Sequence, residues 1–512
     1  AYHSSVLRAQ ELAARAVSFY ERGLARIEER WAGTGQTGER FLDPHHEYAA
    51  DLDLFGRGGL FELLSTARTR MGEETLAAWL LSPSLVDHLT VRQTSVHALR
   101  DKIDFWENIA VLGKDAEAGV HPDALVKWAE AANVFKATWL PWAGLVLAAG
   151  ALAGAIAWGY WGLATPFILT IIIEGIIVYS LRKPVEEVLH GSEHEFRDLK
   201  LLAGVLASIE KQTFSDPHLL ALQRELCPGE VKAAEAIARL SRIINWSEQR
   251  ENFFFKLLDI PLMYSVQVAY AAERWRAAYG HSVGSWLRVI GEVEALISLA
   301  TYSHEHPVDP FPEFVKSAGA CFEGDALGHP LLADSKCVRN SVSLCETTRV
   351  LLVSGSNMSG KSTLLRAIGI NTVLAMAGAP VRAKQLRLTP LHVGASIRIN
   401  DSLQDGSSRF YAEIKRIRRI FDLAGNAVPL LFLLDELLQG TNSRDRLVGA
   451  EGVITALLDR GAIGLVSTHD LALTEMGGRI GGRLHNVHFE EEFREGRMYF
   501  DYKLREGIVT KS

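Results

Sequence analysis

The stretch Val350-Leu-Leu-Val-Ser-Gly-Ser-Asn-Met-Ser-Gly-Lys-Ser-Thr363 decides how the rest of the chain is read. Its first residues form a short apolar run that predicts a buried strand. Gly355 to Ser362 then fits G-x-x-x-x-G-K-[ST], and a helical pattern follows from Thr363. The spacing has a chemical reason. Gly355 and Gly360 let the backbone curl, so that the N–H groups of the loop (Ser356, Asn357, Met358, Ser359) point inward at a polyphosphate, to which the following helix presents its positive end. Lys361 is placed to reach the β- and γ-phosphates of ATP, and Ser362 to ligate Mg²⁺. The flanking strand and helix are what distinguish this stretch from a chance match.

Two further runs downstream belong with it. Pro429-Leu-Leu-Phe-Leu-Leu-Asp-Glu436 is apolar and ends in two carboxylates, as expected of a buried parallel strand that delivers acids to its C-terminal edge. Asp435 is expected in the Mg²⁺ shell, and Glu436 is expected to polarise the attacking water. Gly464-Leu-Val-Ser-Thr-His-Asp470 predicts another buried strand, ending in His469 as a γ-phosphate sensor. Between the motifs, Gly406, Ser407 and Ser408 precede a helix carrying Lys415, Arg416, Arg418 and Arg419. No partner for these hydroxyls is evident within one site, so Ser408 is read as acting in trans in a head-to-tail dimer. The basic helix could touch DNA, but a solvated charged face is the simpler reading.

At 512 residues the chain exceeds a single core, and its net charge of −7 confines any nucleic-acid contact to local patches. Cys227, Cys321, Cys337 and Cys345 lack C-x-x-C spacing, which argues against zinc and against a disulfide framework and suits a reducing compartment.

Residues 4–32 carry apolar positions at helical spacing and predict one amphipathic helix; after a Gly-rich break, the pattern turns helical again as far as Trp79. From Ala137 to Leu181 the only acid or base is Glu174. Two apolar runs, Trp139–Trp158 and Leu163–Leu181, are each close to the roughly 20 residues that cross a bilayer. Lys127, Lys136, Arg182 and Lys183 flank the pair, so the positive-inside rule puts both ends in the cytoplasm. A hairpin of buried core helices is the competing reading. Residues 184–305 predict long packed helical levers, and the prolines between Ser303 and Pro312 mark a linker.

Gly355-Ser-Asn-Met-Ser-Gly-Lys-Ser-Thr, Asp435-Glu-Leu-Leu-Gln-Gly-Thr-Asn-Ser-Arg-Asp and Ser467-Thr-His-Asp resemble, in order and spacing, the ATPase motifs of the MutS mismatch-repair family. His329-Pro330, Asn486-Val-His and the early Asp51-Leu-Asp-Leu-Phe-Gly-Arg-Gly-Gly-Leu-Phe resemble the same family's flanks and the start of its helical core. The resemblance implies that Asn357, Lys361 and Ser362 bind phosphate and Mg²⁺, that Asp435 and Glu436 run hydrolysis, that His469 senses the γ-phosphate and that Ser408 crosses the dimer. It also implies an aromatic sandwich for adenine: Tyr502 stands at one side, whereas Cys337 or Val338 replaces the other aromatic. The family's mismatch readers carry a separate N-terminal domain that residues 1–40 are too short to hold. Phe19-Tyr20-Glu21 imitates its F-x-E signature but sits where Phe19 suits the buried stripe of a helix.

The expected fold is therefore mixed. An N-terminal helix (1–40) precedes a helical core (41–136), a transmembrane hairpin (137–183), a second helical lever (184–305) and an α/β P-loop ATPase domain (306–512). The expected function is a Mg²⁺-dependent ATPase acting as a head-to-tail homodimer, anchored in the cytoplasmic membrane through residues 139–181, with its ATPase domain in the cytoplasm. The alternatives are a mismatch-repair or recombination ATPase on duplex DNA and an ATP-switched scaffold with little turnover. The sequence names no protein partner.

Overall fold

A computed structural model describes residues 2–116, 119–135, 139–189, 193–227, 229–249, 262–398, 409–439, 441–494 and 497–508. The chain divides into two units. One comprises Ala1–Ala16, Ala67–Gly72 and Ile103–Glu294; the other comprises Val17–Thr66, Glu73–Lys102 and Ala295–Ser512.

All regular elements described in the first unit are helices. Prolines open several of them, where a missing N–H costs nothing: Pro122 begins Pro122–Ala129, and Pro217 begins Pro217–Glu225, whose Asp216 cap accepts from Leu219 N–H at 2.9 Å. Glu193–Lys211 packs on Ile103–Gly113 and Ala233–Gln249. Trp128 meets the edge of Phe196 at 5.1 Å and stacks on Trp275. Buried Glu294 is satisfied by the N–H groups of Arg68 (3.1 Å) and Thr69 (3.2 Å) and by the Thr69 hydroxyl.

The apolar hairpin lies in this unit as Leu140–Trp161 and Thr165–Ser180, joined through Gly162. Gly154 permits the helices to meet, since a Cβ there would lie 2.8 Å from the Phe167 backbone. Trp142, Val146, Leu152, Ile168 and Ile176 are exposed. Among the described residues, Trp142–Trp161 is long and apolar enough by itself to cross a membrane, by length and composition. The second helix is shorter than the sequence suggests: the turn takes Leu163 and Ala164, and 16 residues remain. Glu174 is fully buried, and among the described residues neither carboxylate oxygen has a hydrogen-bond partner.

The second unit holds both sheets. Its strands are β1 (Glu313–Phe314), β2 (Phe322–Leu327), β3 (Asn340–Leu344), β4 (Val350–Ser354), β5 (Gln385–Leu388), β6 (His392–Ser396), β7 (Leu430–Asp435), β8 (Ile463–Thr468), β9 (Leu484–Arg494) and β10 (Arg497–Glu506). The larger sheet runs β10-β9-β4-β8-β7-β6, parallel throughout except for β10, and the smaller runs β1-β5-β2-β3. Parallel strands are covered on both faces, so β4 and β8 are buried at every position, as their unbroken apolar runs require. Register pairs Ser354 with Thr468 and Asp435 with Ser467, which aligns the C-terminal ends of β4, β8 and β7.

Four expectations are revised. The first helix is Tyr2–Ile27, stopping short of Trp31, with Glu29 at φ 58°. The helical pattern toward Trp79 is broken between Leu60–Leu64 and Arg70–Leu81. Cys321 and Cys345 form a disulfide, because the β2–β3 pairing Phe322↔Leu344 brings residues 24 apart in sequence face to face. The basic helix, Arg409–Leu423, turns Arg416 inward: it pairs with Asp51 at 2.5 Å and donates to the Ala395 and His46 carbonyls. The other Asp51 oxygen accepts from Ile397 N–H (2.7 Å) and Arg398 N–H (2.8 Å), so the early Asp-Leu-Asp-Leu segment fastens the end of β6. Phe19 is buried, as a core side chain of its helix.

Candidate functional site

The quoted loop connects β4 to the buried helix Lys361–Ala377. Gly360 precedes the helix at φ 102° and Gly355 leaves the strand at φ 152°, both in the region that favours glycine. Gly360 is also bare for a second reason: a Cβ would stand 3.1 Å from the Tyr502 ring. The loop borders a cavity of about 490 Å³, lined by Asn357, Met358, Gly360, Lys361, Ser362 and Thr363, and also by Glu436, His329, Cys337, Val338, Asn340 and Tyr502.

Hydrogen bonds hold the expected residues in and behind this wall. Lys361 Nζ donates to the carbonyl oxygens of Gly355 and Ser356, 2.8 Å each. Burial pushes its pKa down, and the carboxylates of Glu436 and Asp435 oppose that shift. The Ser356 hydroxyl donates to Glu491. Ser359 Oγ is buried without a hydrogen-bond partner among the described residues. Ser362 Oγ donates to Asp435 Oδ2 at 2.5 Å, although the two are 73 residues apart. His469 is half exposed, with Nδ1 3.4 Å from Glu436 Oε1. Ser408 lies outside the described residues.

Two residues not singled out from sequence join these. Ser467, fully buried on β8, donates from its hydroxyl to Asp435 and accepts from Glu436 N–H at 3.1 Å, while its carbonyl accepts from the same N–H at 3.2 Å. It thereby fixes Glu436 at φ 51°, a left-handed conformation that a non-glycine residue rarely adopts. A serine within an apolar strand, directly before the Thr-His pair, was the available signal. Asn340 is the other, on β3 in the cavity wall. His329 completes the buried wall; burial, with Arg366 nearby, pushes it down to about 4, against the pull of Asp53.

The donor chemistry suits Mg²⁺: a hydroxyl and a carboxylate, both hard oxygens, already converge at Ser362 and Asp435. The cavity suits a nucleotide: its lining combines a lysine and a glycine-bounded loop with apolar side chains and a tyrosine ring.

A glycine-bounded loop between a central parallel strand and a helix, with a lysine and two carboxylates at the same sheet edge, defines an α/β domain built to receive a strongly anionic group. Residues 351–512 match the family model of MutS domain V. The chain is 36% identical over 231 residues to the DNA mismatch repair protein MutS of Brevibacillus brevis, covering 44% of this chain and 26% of that protein. It is 37% identical over 166 residues to the endonuclease MutS2 of Thermus thermophilus (32% and 22%). To the DNA mismatch repair protein MutS 2 of Halobacterium salinarum it is 32% identical over 251 residues (48% and 27%). The matched region spans about a quarter of the length of these relatives. The likeness to the MutS family thus rests on the C-terminal part of the chain, residues 351–512 matching MutS domain V.

Proposed function

We propose that this chain is a MutS-type ATPase that binds and hydrolyses Mg·ATP in the cavity beside residues 355–363, within the nucleotide domain of residues 306–512. The observation that carries this reading is the hydrogen bond from Ser362, beside Lys361 at the start of the helix, to Asp435 at the end of β7, next to a cavity lined by Lys361, Ser362 and Glu436. Lys361 and the loop N–H groups bind the phosphates, and the Tyr502 end takes the base. Ser362 and Asp435 would hold Mg²⁺, which supplies charge neutralisation when bound. Glu436, steered by Ser467 and facing His469, orients the attacking water and accepts its proton.

The chain is proposed to act as a head-to-tail dimer in which Ser408 completes the partner's site and the helices of residues 184–305 transmit the motion. We further propose that the hairpin anchors the chain in the cytoplasmic membrane with the nucleotide domain in the cytoplasm. The exposed apolar faces of Leu140–Trp161 and Thr165–Ser180 support this. A second reading, action on duplex DNA in mismatch repair or recombination, is favoured by the likeness to DNA mismatch repair proteins.

Lys361→Ala should abolish Mg²⁺-dependent ATP affinity measured by titration calorimetry, whereas Glu436→Gln should keep binding and lose about 10²–10⁴-fold in turnover. Unchanged affinity in Lys361→Ala would end the reading. Duplex binding with a steep negative salt slope would favour the DNA alternative over an anchored lever, and negligible turnover in the unmodified chain would favour the ATP-switched scaffold. Release of the intact chain from membranes by carbonate without detergent would remove the anchor.

A further inference from the structure

β10 is irregular beside the cavity. Its pairing with β9 shifts register between Phe500 and Leu504, and within that bulge Tyr502 takes φ 55°, on the left-handed side that bulky residues avoid. Its ring lies against Gly360, at the point where the anion loop becomes a helix. The bulge is gripped from the smaller sheet: Asn340 Nδ2 donates to the Tyr502 carbonyl at 3.0 Å, and Asn340 Oδ1 accepts from Leu504 N–H at 2.8 Å. A side-chain amide presents one donor face and one acceptor face, as a peptide group does, so Asn340 can hold the backbone on both sides of the bulge at once. Cys337 and Val338, on the same cavity wall, offer no ring to face Tyr502.

We infer that Asn340 is a positioning residue for the nucleotide base: by holding Tyr502 in its left-handed conformation it sets the tyrosine face of the base subsite. This rests on the nucleotide reading above and assigns a residue to it. Opposite an aromatic ring, a base would be held by stacking from two sides. With a thiol and an isopropyl group instead, affinity for the base depends on how rigidly the Tyr502 ring is presented. Asn340 therefore acts on the base and is silent toward the phosphates, which the loop and Lys361 contact.

The test compares two probes with Mg²⁺, ATP and inorganic tripolyphosphate, on the full chain by calorimetry. Asn340→Ala should weaken ATP about tenfold and leave tripolyphosphate unchanged. Tyr502→Ala should show the same selectivity, and the double variant should lose little more than either single one, because the two act as a unit. Asn340→Asp, which keeps the acceptor for Leu504 N–H but loses the donor to the Tyr502 carbonyl, should also lose ATP selectively; it serves as well if the alanine variant folds poorly. Equal loss of both probes, no loss of either, or additive losses in the double variant would overturn the inference. An unmodified chain that binds neither probe would remove the nucleotide reading beneath it.

Discussion

The anion loop and the apolar hairpin both depend on glycine, for opposite reasons. Gly360 is needed for its positive φ, whereas Gly154 is needed so that two helices can touch backbone to backbone. The two regions differ equally in how they treat buried polar groups. Around the loop, Ser362, Asp435 and Ser467 hydrogen-bond one another and Lys361 donates to the Gly355 and Ser356 carbonyls, although Ser359 Oγ has no partner among the described residues. In the hairpin, Glu174 is buried with both oxygens unpartnered among the described residues. A buried group left unpaired costs stability, so the contrast separates a site whose charges are organised in advance from a packing seam that carries one uncompensated carboxyl.

Three measurements can break or sharpen that contrast. The largest effect is expected from acid on the nucleotide unit. His329 is held neutral, with its folded pKa at about 4, below the ordinary value of 6.5. Between those values the unfolded chain binds the extra proton, so stability is full above about pH 6.5 and falls as pH drops toward 4, by at most about 3 kcal/mol. Denaturant titrations of His329→Gln should show a shallower loss over that window; an identical slope would mean that His329 is not what acid attacks. Next, Gly154→Val should destabilise the hairpin by about 1–3 kcal/mol in detergent melts, because its Cβ has no room beside Phe167. No change there would mean that the two helices do not pack through this seam. Smallest, Ser467→Ala should lower turnover about tenfold, roughly 1.4 kcal/mol, at unchanged ATP affinity, because it releases Glu436 but not the phosphates. A matching loss of affinity would make Ser467 merely a part of the core.

Much of the candidate site is legible in local sequence because each motif pairs a strand with the residues at its end. β4 runs into Gly355, β7 delivers Asp435, and β8 ends just before His469. Alternation and spacing report which residues share an edge only when the strand order is given by something else, and that order, β4-β8-β7, comes from long-range pairing. Ser467 and Asn340 were missed for that reason. Each acts on a residue far away in the chain or across a sheet, and nothing in its own neighbourhood marks the partner. Asp51 illustrates the same limit: its motif was noticed, but its hold on Ile397, Arg398 and Arg416 spans more than 340 residues.

The sequence alone determined the loop, its lysine, the carboxylate pair and the apolar run around Trp142–Trp161, because glycine placement, charge and hydropathy act within a few residues along the chain. Only the tertiary structure decided that Cys321 meets Cys345, that Arg416 faces inward, that the second hairpin helix has 16 residues and that Glu174 is sealed away from solvent. These outcomes depend on strand register and on which helix faces meet, energies shared between distant segments that no single stretch encodes.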